Sequence, residues 1–221
     1  EARKKIDMCL KRKKVPIVVG GTGLYFQSLV NGLVKIPNIP INFRNKIRFL
    51  QKKIGQKKFY KKLIKIDPFI KNKISETDIQ RSLRAYEVKS YTKKSLIDWF
   101  KNTKSKFLED DFLKIYIDFP REDLIKRISK RTSQMFEKGA VNEVRRFLKL
   151  KVKKDNSSIK VIGISEIDEY LRKKTEKKDI IERISIKTRQ YAKRQSTWAR
   201  GQMINWQKLK PKDLKKFLKK I

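Results

Sequence analysis

Residues 15–26 read Val15-Pro16-Ile17-Val18-Val19-Gly20-Gly21-Thr22-Gly23-Leu24-Tyr25-Phe26, an apolar run that leads into a glycine-rich turn and then a helical pattern. The apolar run predicts a parallel strand, because strands that are covered on both faces are apolar without interruption. The glycines allow a close backbone approach, and a strand-to-helix turn directs free N–H groups outward, which suits a diphosphate. The stretch matches neither the P-loop pattern nor G-x-G-x-x-G. A diphosphate site at Thr22 and an ordinary tight turn therefore both remain open.

The charge of the chain is far from balanced. Its 221 residues include 60 Lys+Arg against 23 Asp+Glu, for a formal net charge of +37. Such an excess favours a polyanionic partner, above all nucleic acid, because bound cations release the counterions of the phosphates. The alternative is a compositional bias toward lysine that only decorates solvated faces.

The chain has a single cysteine, Cys9, and no histidine. This excludes a disulfide framework, a Cys/His zinc site and histidine-based catalysis, and it favours a reducing, cytoplasmic compartment. No apolar run approaches the roughly 20 residues that a membrane span needs, so we expect no membrane partner. Glu1 opens within a helical pattern without a capping residue, so we expect an upstream part of the protein to be missing.

The chain order predicts an α/β fold with a partial parallel-sheet core and an inserted all-helical subdomain. Pro37-Asn38-Ile39-Pro40 is a linker, and only helical periodicity follows it, to about Phe100. The segment 112–119 is rich in β-branched and aromatic residues and predicts the second strand. The expected domains are 1–36 for one part of the core, 37–108 for the insertion and 109–221 for the rest of the core.

The longest helical pattern runs from Thr175 to Arg200. Thr175 is the expected N-cap and Gly201 the expected stop. Residues 204–206 predict an edge strand, and residues 210–221 a basic tail helix.

Two arginine pairs have the spacing of neighbours on a helix face. Arg81 and Arg84 are three residues apart, and Arg127 and Arg131 are four apart. Guanidinium groups bind phosphates in a bidentate manner, so each pair is a candidate anion site. Structural ion pairing, for example with Glu87, explains the same spacing equally well.

The segment 193–200, Lys193-Arg194-Gln195-Ser196-Thr197-Trp198-Ala199-Arg200, combines cations, an amide, hydroxyls and an indole. Aromatic and guanidinium groups stack on unpaired bases, so this segment is a candidate RNA contact. The alternative is an amphipathic helix whose Trp198 belongs to the core.

Five motifs in order carry a resemblance to one family. They are residues 16–25, then 78–88, then Arg127 to Arg131 with Met135 and Gly139 to Val144, then 161–166 with Tyr170 and Leu171, and finally 188–200. On these motifs the chain resembles the bacterial tRNA dimethylallyltransferases, also called tRNA isopentenyltransferases. The first and last motifs are specific, and together the five span nearly the whole chain.

The resemblance implies transfer of a dimethylallyl group from dimethylallyl diphosphate to the exocyclic amine of the adenosine 3′ to a tRNA anticodon, assisted by Mg²⁺. It also implies a nucleotide-binding, P-loop-type α/β core with a helical insertion, in a protein that we expect to be a monomer. Thr22 is then expected at the reacting centre. The residues expected to bind the diphosphate are Gly20, Gly21, Gly23, Arg127 and Arg131. Those expected to contact the tRNA anticodon stem-loop are Arg44, Gln80, Arg81, Arg84, Lys160, Gly163, Ser165, Lys193, Arg194, Gln195, Trp198 and Arg200.

The chain departs from the family pattern in two motifs. Neither G-x-x-x-x-G-K-[ST] nor the Asp-Ser-x-Gln segment, whose aspartate is the general base in that family, occurs in these residues. We therefore expect these 221 residues alone to bind tRNA with little transfer. A smaller departure is Ser165, which stands at a position where members of that family often have a basic residue. Two other hypotheses stay open: a non-enzymatic basic RNA-binding protein on the same scaffold, and a P-loop nucleotide kinase.

Overall fold

The structure is a computed structural model that describes residues 1–152, 156–173 and 175–219. It divides into two compact units. The first unit comprises Glu1–Ile17 and Leu24–Phe112, and the second comprises Val18–Gly23 and Leu113–Ile221.

The first unit is helical, and the predicted helical run after residue 42 is confirmed. Its helices are α1 (Ala2–Lys11), α2 (Gly23–Val30, whose first residue belongs to the second unit), α3 (Ile41–Ile54), α4 (Gln56–Ile66), a 3₁₀ turn (Pro68–Ile70), α5 (Ile79–Thr92) and α6 (Leu96–Lys101). Its core contains five fully buried residues: Phe59, Leu63, Ile70, Ala85 and Val88.

Local sequence sets the helix boundaries of the first unit. Gly55, with φ of 76°, separates α3 from α4, a backbone conformation that glycine adopts without strain. The predicted break at Asp67-Pro68 is present. Asp78 caps α5, because its carboxylate accepts a hydrogen bond of 2.9 Å from the N–H of Arg81.

The second unit combines a two-stranded parallel sheet with helices. Strand β1 (Ile115–Ile117) pairs with β2 (Gln207–Leu209), with Ile115 opposite Gln207. The helices are α7 (Arg121–Glu137), α8 (Ala140–Lys149), a 3₁₀ turn (Ser157–Lys160), α9 (Ile164–Leu171), α10 (Lys177–Gln202) and α11 (Pro211–Leu218). Their core residues include Phe136, Val144, Ile167, Ile180 and Ile184.

The strand predicted in residues 15–19 does not form. This segment has no regular secondary structure, and Val15, Ile17 and Val19 are 79–88% exposed. A parallel strand needs neighbouring strands for its hydrogen bonds and apolar faces. Among the described residues the only sheet is the β1–β2 pair, which offers this run no neighbour.

Four predicted boundaries also need correction. The N-cap of α10 is Glu176 and not Thr175, which places a carboxylate at the positive end of the helix. The helix continues through Gly201 to Gln202, because buried Ala199 and Met203 hold its end and outweigh the weak helix propensity of glycine. The last strand lies at 207–209 and not at 204–206, and β1 is shorter than the predicted 112–119.

Candidate functional site

The glycine turn lies against the C-terminal half of α10 within the second unit. Gln195 Nε2 donates a hydrogen bond of 2.8 Å to the carbonyl oxygen of Gly21. A Cβ atom on Gly23 would lie 1.8 Å from Trp198 Cζ3, so only glycine leaves room for the indole. A Cβ on Gly21 would likewise lie 2.4 Å from Gln195 Nε2. Two motifs that are distant in sequence therefore form one junction.

Thr22 stands between these two anchored glycines. Its side chain is exposed, as is neighbouring Gly20, and its hydroxyl has no hydrogen-bond partner among the described residues. The backbone of the turn is held on both sides while the hydroxyl remains available. The arrangement offers an incoming anion one hydroxyl donor on a fixed frame.

The outer face of α10 carries cations next to an aromatic ring. Lys193, Arg194 and Arg200 are exposed. The guanidinium carbon of Arg194 lies 5.6 Å from the ring centroid of Tyr191, a cation–π contact. Partly buried Trp198 packs on the glycine turn, so this stretch joins an exposed basic face to an anchored indole.

Arg127 and Arg131 lie on α7, which packs against α10. Both are exposed, and the guanidinium carbon of Arg127 is 4.8 Å from the centroid of Phe119. Within the described ranges, neither arginine forms a hydrogen bond or ion pair with the glycine turn. The structure therefore leaves Arg127 stacked on Phe119 and Arg131 exposed on the same helix, and it does not assign them a ligand.

The segment 160–165 is held by a carboxylate that sequence reasoning missed. Gly163, with φ of 108°, is the N-cap of α9 and donates its N–H to Glu166 Oε2 at 2.9 Å. The other oxygen of Glu166 accepts a hydrogen bond from the ammonium of Lys187 on α10. Lys160 and Ser165 are exposed on either side. The sequence did contain a signal for the role of Glu166, because a glutamate three residues after the N-cap of a helix is a capping-box pattern.

Burial by itself raises the pKa of Glu166, whose residue is 1% exposed. Hydrogen bonds from Lys187, from the N–H of Glu166 and from the N–H of Gly163 outweigh that effect, so the pKa lies below its usual range. The ionised carboxylate thus ties the segment 160–165 to α10.

In the first unit, Arg44 and Arg84 meet at one buried carboxylate. Arg44 Nε lies 3.4 Å, and Arg84 Nη1 3.7 Å, from Glu87 Oε2. Arg48 Nε lies 3.8 Å from Glu87 Oε1, and sequence reasoning did not single out that residue. Its signal was its position four residues after Arg44 on the same helix face.

The other two residues of the first unit that were predicted to contact tRNA, Gln80 and Arg81, do not belong to this cluster. Arg81 pairs with Asp78 at 3.5 Å and is 75% exposed, and Gln80 is exposed beside it.

Over the described ranges, no group of three or more acidic, cysteine or histidine residues has the geometry of a metal site. No helix in the described part of the chain is long and apolar enough to cross a membrane.

The comparisons with known proteins agree on one family. The family model for IPP transferase matches residues 1–202. A tRNA dimethylallyltransferase of Pelagibacter ubique is 59% identical over 218 residues, which cover 99% of this chain and 70% of that protein. The tRNA dimethylallyltransferase of Rickettsia massiliae is 39% identical over 91% of this chain and 56% of its own length. The chain therefore spans only part of the length of these relatives.

Solved structures agree with the fold. A eukaryotic dimethylallyltransferase acting on tRNA has a TM-score of 0.77 and 29% identity, over 95% of this chain and 55% of that chain. A tRNA isopentenylpyrophosphate transferase from Staphylococcus epidermidis has a TM-score of 0.56 and 31% identity, over 95% and 67%. These likenesses confirm the predicted fold class, a P-loop-type α/β core with a helical insertion.

Proposed function

We propose that this chain, which belongs to the IPP transferase family, takes part in transferring a dimethylallyl group from its diphosphate to the adenosine 3′ to a tRNA anticodon. The observation that supports this most is the junction of the glycine turn with α10. It places the exposed hydroxyl of Thr22 on the same unit as a helix whose outer face carries Lys193, Arg194 and Arg200.

In the proposed reaction the bond between the allylic carbon and the diphosphate oxygen breaks, and a bond from that carbon to the exocyclic nitrogen forms. The nitrogen gives up a proton to a general base, which the family resemblance assigns to the aspartate of an Asp-Ser-x-Gln segment, and diphosphate leaves with the electron pair of the broken bond. Negative charge grows on the leaving oxygens, where a positioned hydroxyl or guanidinium stabilises it. We assign the hydroxyl to Thr22 and the guanidinium groups to Arg127 and Arg131, with Gly20, Gly21 and Gly23 shaping the turn.

None of the side chains that meet at the turn accepts a proton at neutral pH, since Thr22, Gln195 and Trp198 are not bases. We therefore expect residues 1–221 alone to bind the RNA and to transfer little. The same proposal includes three further points. The protein is a monomer, it acts in the cytoplasm, where tRNA is available, and its helical insertion spans residues 37–108.

Mg²⁺ is the metal that the resemblance implies, and it prefers oxygen ligands. At the turn the described side chains supply only two neutral oxygens, the hydroxyl of Thr22 and the amide oxygen of Gln195, and the described ranges contain no acidic cluster that could hold a metal. These residues do not make a magnesium site by themselves, and no step is assigned to the metal here.

A transfer assay tests the proposal, with labelled dimethylallyl diphosphate and an unmodified anticodon stem-loop that carries adenosine at the target position. In the protein that contains this chain, Thr22→Ala should lower the transfer rate by about 100-fold, the typical effect of one lost oxyanion donor, with RNA affinity nearly unchanged. Thr22→Ser keeps the hydroxyl and should retain most of the rate.

Three results would count against parts of the proposal. If Thr22→Ala weakened RNA binding while the rate per bound complex held, Thr22 would be a binding residue only. Robust turnover by residues 1–221 alone would show that these residues contain the general base. RNA binding without transfer by the protein in any form would favour the non-enzymatic RNA-binding alternative.

A further inference from the structure

In the first unit, three arginines surround the buried carboxylate of Glu87. Arg44 and Arg48 are one turn apart on α3, and Arg84 is on α5, which packs against α3. The Glu87 side chain is 3% exposed, whereas the three arginine side chains are 36–45% exposed. The carboxylate is therefore inside, and the guanidinium groups reach from it toward solvent.

The cluster has more donors than Glu87 can satisfy. A guanidinium carries five N–H donors, and a carboxylate offers about four acceptor sites. The N–O distances of 3.4, 3.7 and 3.8 Å are those of ion pairs without tight hydrogen bonds. Arg44 Nε is buried and has no hydrogen-bond partner. One carboxylate also leaves two of the three positive charges unbalanced.

A structural arginine pair in the same chain looks different. On the second unit, Arg183 Nη1 and Nη2 donate to the two oxygens of Glu169 at 2.5 and 3.2 Å, a closed bidentate pair. One cation there matches one anion, and the donors that face the carboxylate are used. The Glu87 cluster is open by comparison, which is what a site that completes itself with an external anion requires.

We propose that Glu87 holds Arg44, Arg48 and Arg84 as a receptor for one backbone phosphate of the bound RNA. In this arrangement Arg48 is a binding residue, and Glu87 is a positioning residue that acts through the arginines. The proposal rests on the proposed RNA partner, and it adds to that proposal a specific phosphate contact and the residue that organises it.

Arg48→Gln is the first test, with RNA affinity measured by fluorescence anisotropy of a labelled anticodon stem-loop at several salt concentrations. Loss of one charge-assisted phosphate contact should weaken binding by about tenfold. It should also reduce the slope of log affinity against log salt by about 1. Arg48→Lys should restore the slope but not the full affinity, because an ammonium lacks the planar fork.

Lys53→Gln is the matched control, since Lys53 is an exposed cation on the same helix α3. It removes the same charge without touching Glu87, and we expect its affinity to stay within about twofold of the parent protein. Equal losses in Arg48→Gln and Lys53→Gln would overturn the receptor and leave only diffuse attraction.

For Glu87→Gln, diffuse charge attraction and a positioning role of Glu87 predict opposite changes in RNA affinity. The substitution removes one negative charge and so raises the net charge of the patch by one, and diffuse attraction therefore predicts tighter RNA binding. A positioning role predicts binding about threefold weaker, because the guanidinium groups lose the charge that holds them together. Unchanged or tighter binding by a folded Glu87→Gln protein would refute the role of Glu87.

Thermal unfolding shows whether Glu87→Gln folds, and if it does not, the comparison of Arg48→Gln with Arg48→Lys decides the proposal. Transfer is not measured in these experiments, so they stand apart from the test of the reaction. A protein that transfers normally but shows no selective effect at Arg48 refutes the receptor alone. A protein that binds RNA through Arg48 without transfer refutes the proposed reaction alone.

Discussion

Gly23→Ala should destabilise the second unit, although the same substitution stabilises most helices. The added Cβ would lie 1.8, 2.1 and 2.3 Å from Trp198 Cζ3, Cε3 and Cη2. Carbon atoms in contact are about 3.5–4.0 Å apart, so the indole must move by roughly 2 Å. Forcing a group into a packed site costs about 1–3 kcal/mol, whereas alanine gains at most about 1 kcal/mol over glycine in a helix.

With the full helix gain subtracted, the loss is up to about 2 kcal/mol, and it lies in the upper part of that range because Gly23 is the first residue of α2, where alanine gains less than in a helix interior. For a chain of this size each kcal/mol shifts the melting temperature by about 2–4 °C, so we expect Tm to fall by up to roughly 8 °C. Thermal melting followed by circular dichroism measures the change in Tm, and urea denaturation measures the change in the free energy of unfolding. Gly201→Ala is the matched control: Gly201 lies inside α10 with open space around it, and this change should stabilise by about 1 kcal/mol.

A double mutant isolates the contact itself. In a Trp198→Leu background the clash at Gly23 is relieved, so Gly23→Ala should become nearly neutral there. The reasoning fails if Gly23→Ala melts at or above the temperature of the parent protein. It fails equally if the substitution costs the same with tryptophan and with leucine at position 198.

Two further predictions concern carboxylates that hold helix ends. Because the pKa of Glu166 is lower in the folded chain than its ordinary value of about 4.3, its contribution to stability is present above that value and is lost as the pH falls toward the folded pKa. Glu166→Gln, which cannot balance the charge of Lys187, should therefore flatten the acid limb of a plot of unfolding free energy against pH; an unchanged acid limb would exclude this linkage. Asp78→Ala removes the side-chain cap of α5 and should cost about 1 kcal/mol in urea denaturation, with Asp78→Asn, which keeps an acceptor, losing less. Equal losses for the alanine and asparagine variants would show that the cap bond contributes nothing.

Much of the fold could be predicted from sequence because most helix signals are local. The apolar spacing that repeats along a helix located α3, α4 and α5, and the side chain of Asp78 marked where α5 begins. Gly32, with φ of 89°, follows the end of α2 as its sequence position predicted. Boundaries that depend on packing were harder, so the end of α10 lies past Gly201.

The candidate site was predictable only in its parts. Sequence pointed to the glycine turn and to the segment 193–200 as separate motifs, without a reason for them to touch. Nothing in the order of residues showed that Trp198 needs the missing side chain of Gly23, or that Glu87 on α5 meets Arg44 and Arg48 on α3. These are contacts between distant residues, and their spacing along the chain carries no periodic signal.

The sequence by itself determined the family, the helical periodicity, the positive charge and the residue types that RNA and a diphosphate require. These properties are carried by single residues or by neighbours a few positions apart. Tertiary structure alone decided that the apolar run 15–19 has no strand partner in the described chain, that Gln195 anchors the turn beside Thr22, and that buried Glu87 pairs with Arg44 and Arg48 of another helix. The physical reason is that strand pairing, close packing and charge clusters depend on which distant segments meet in space.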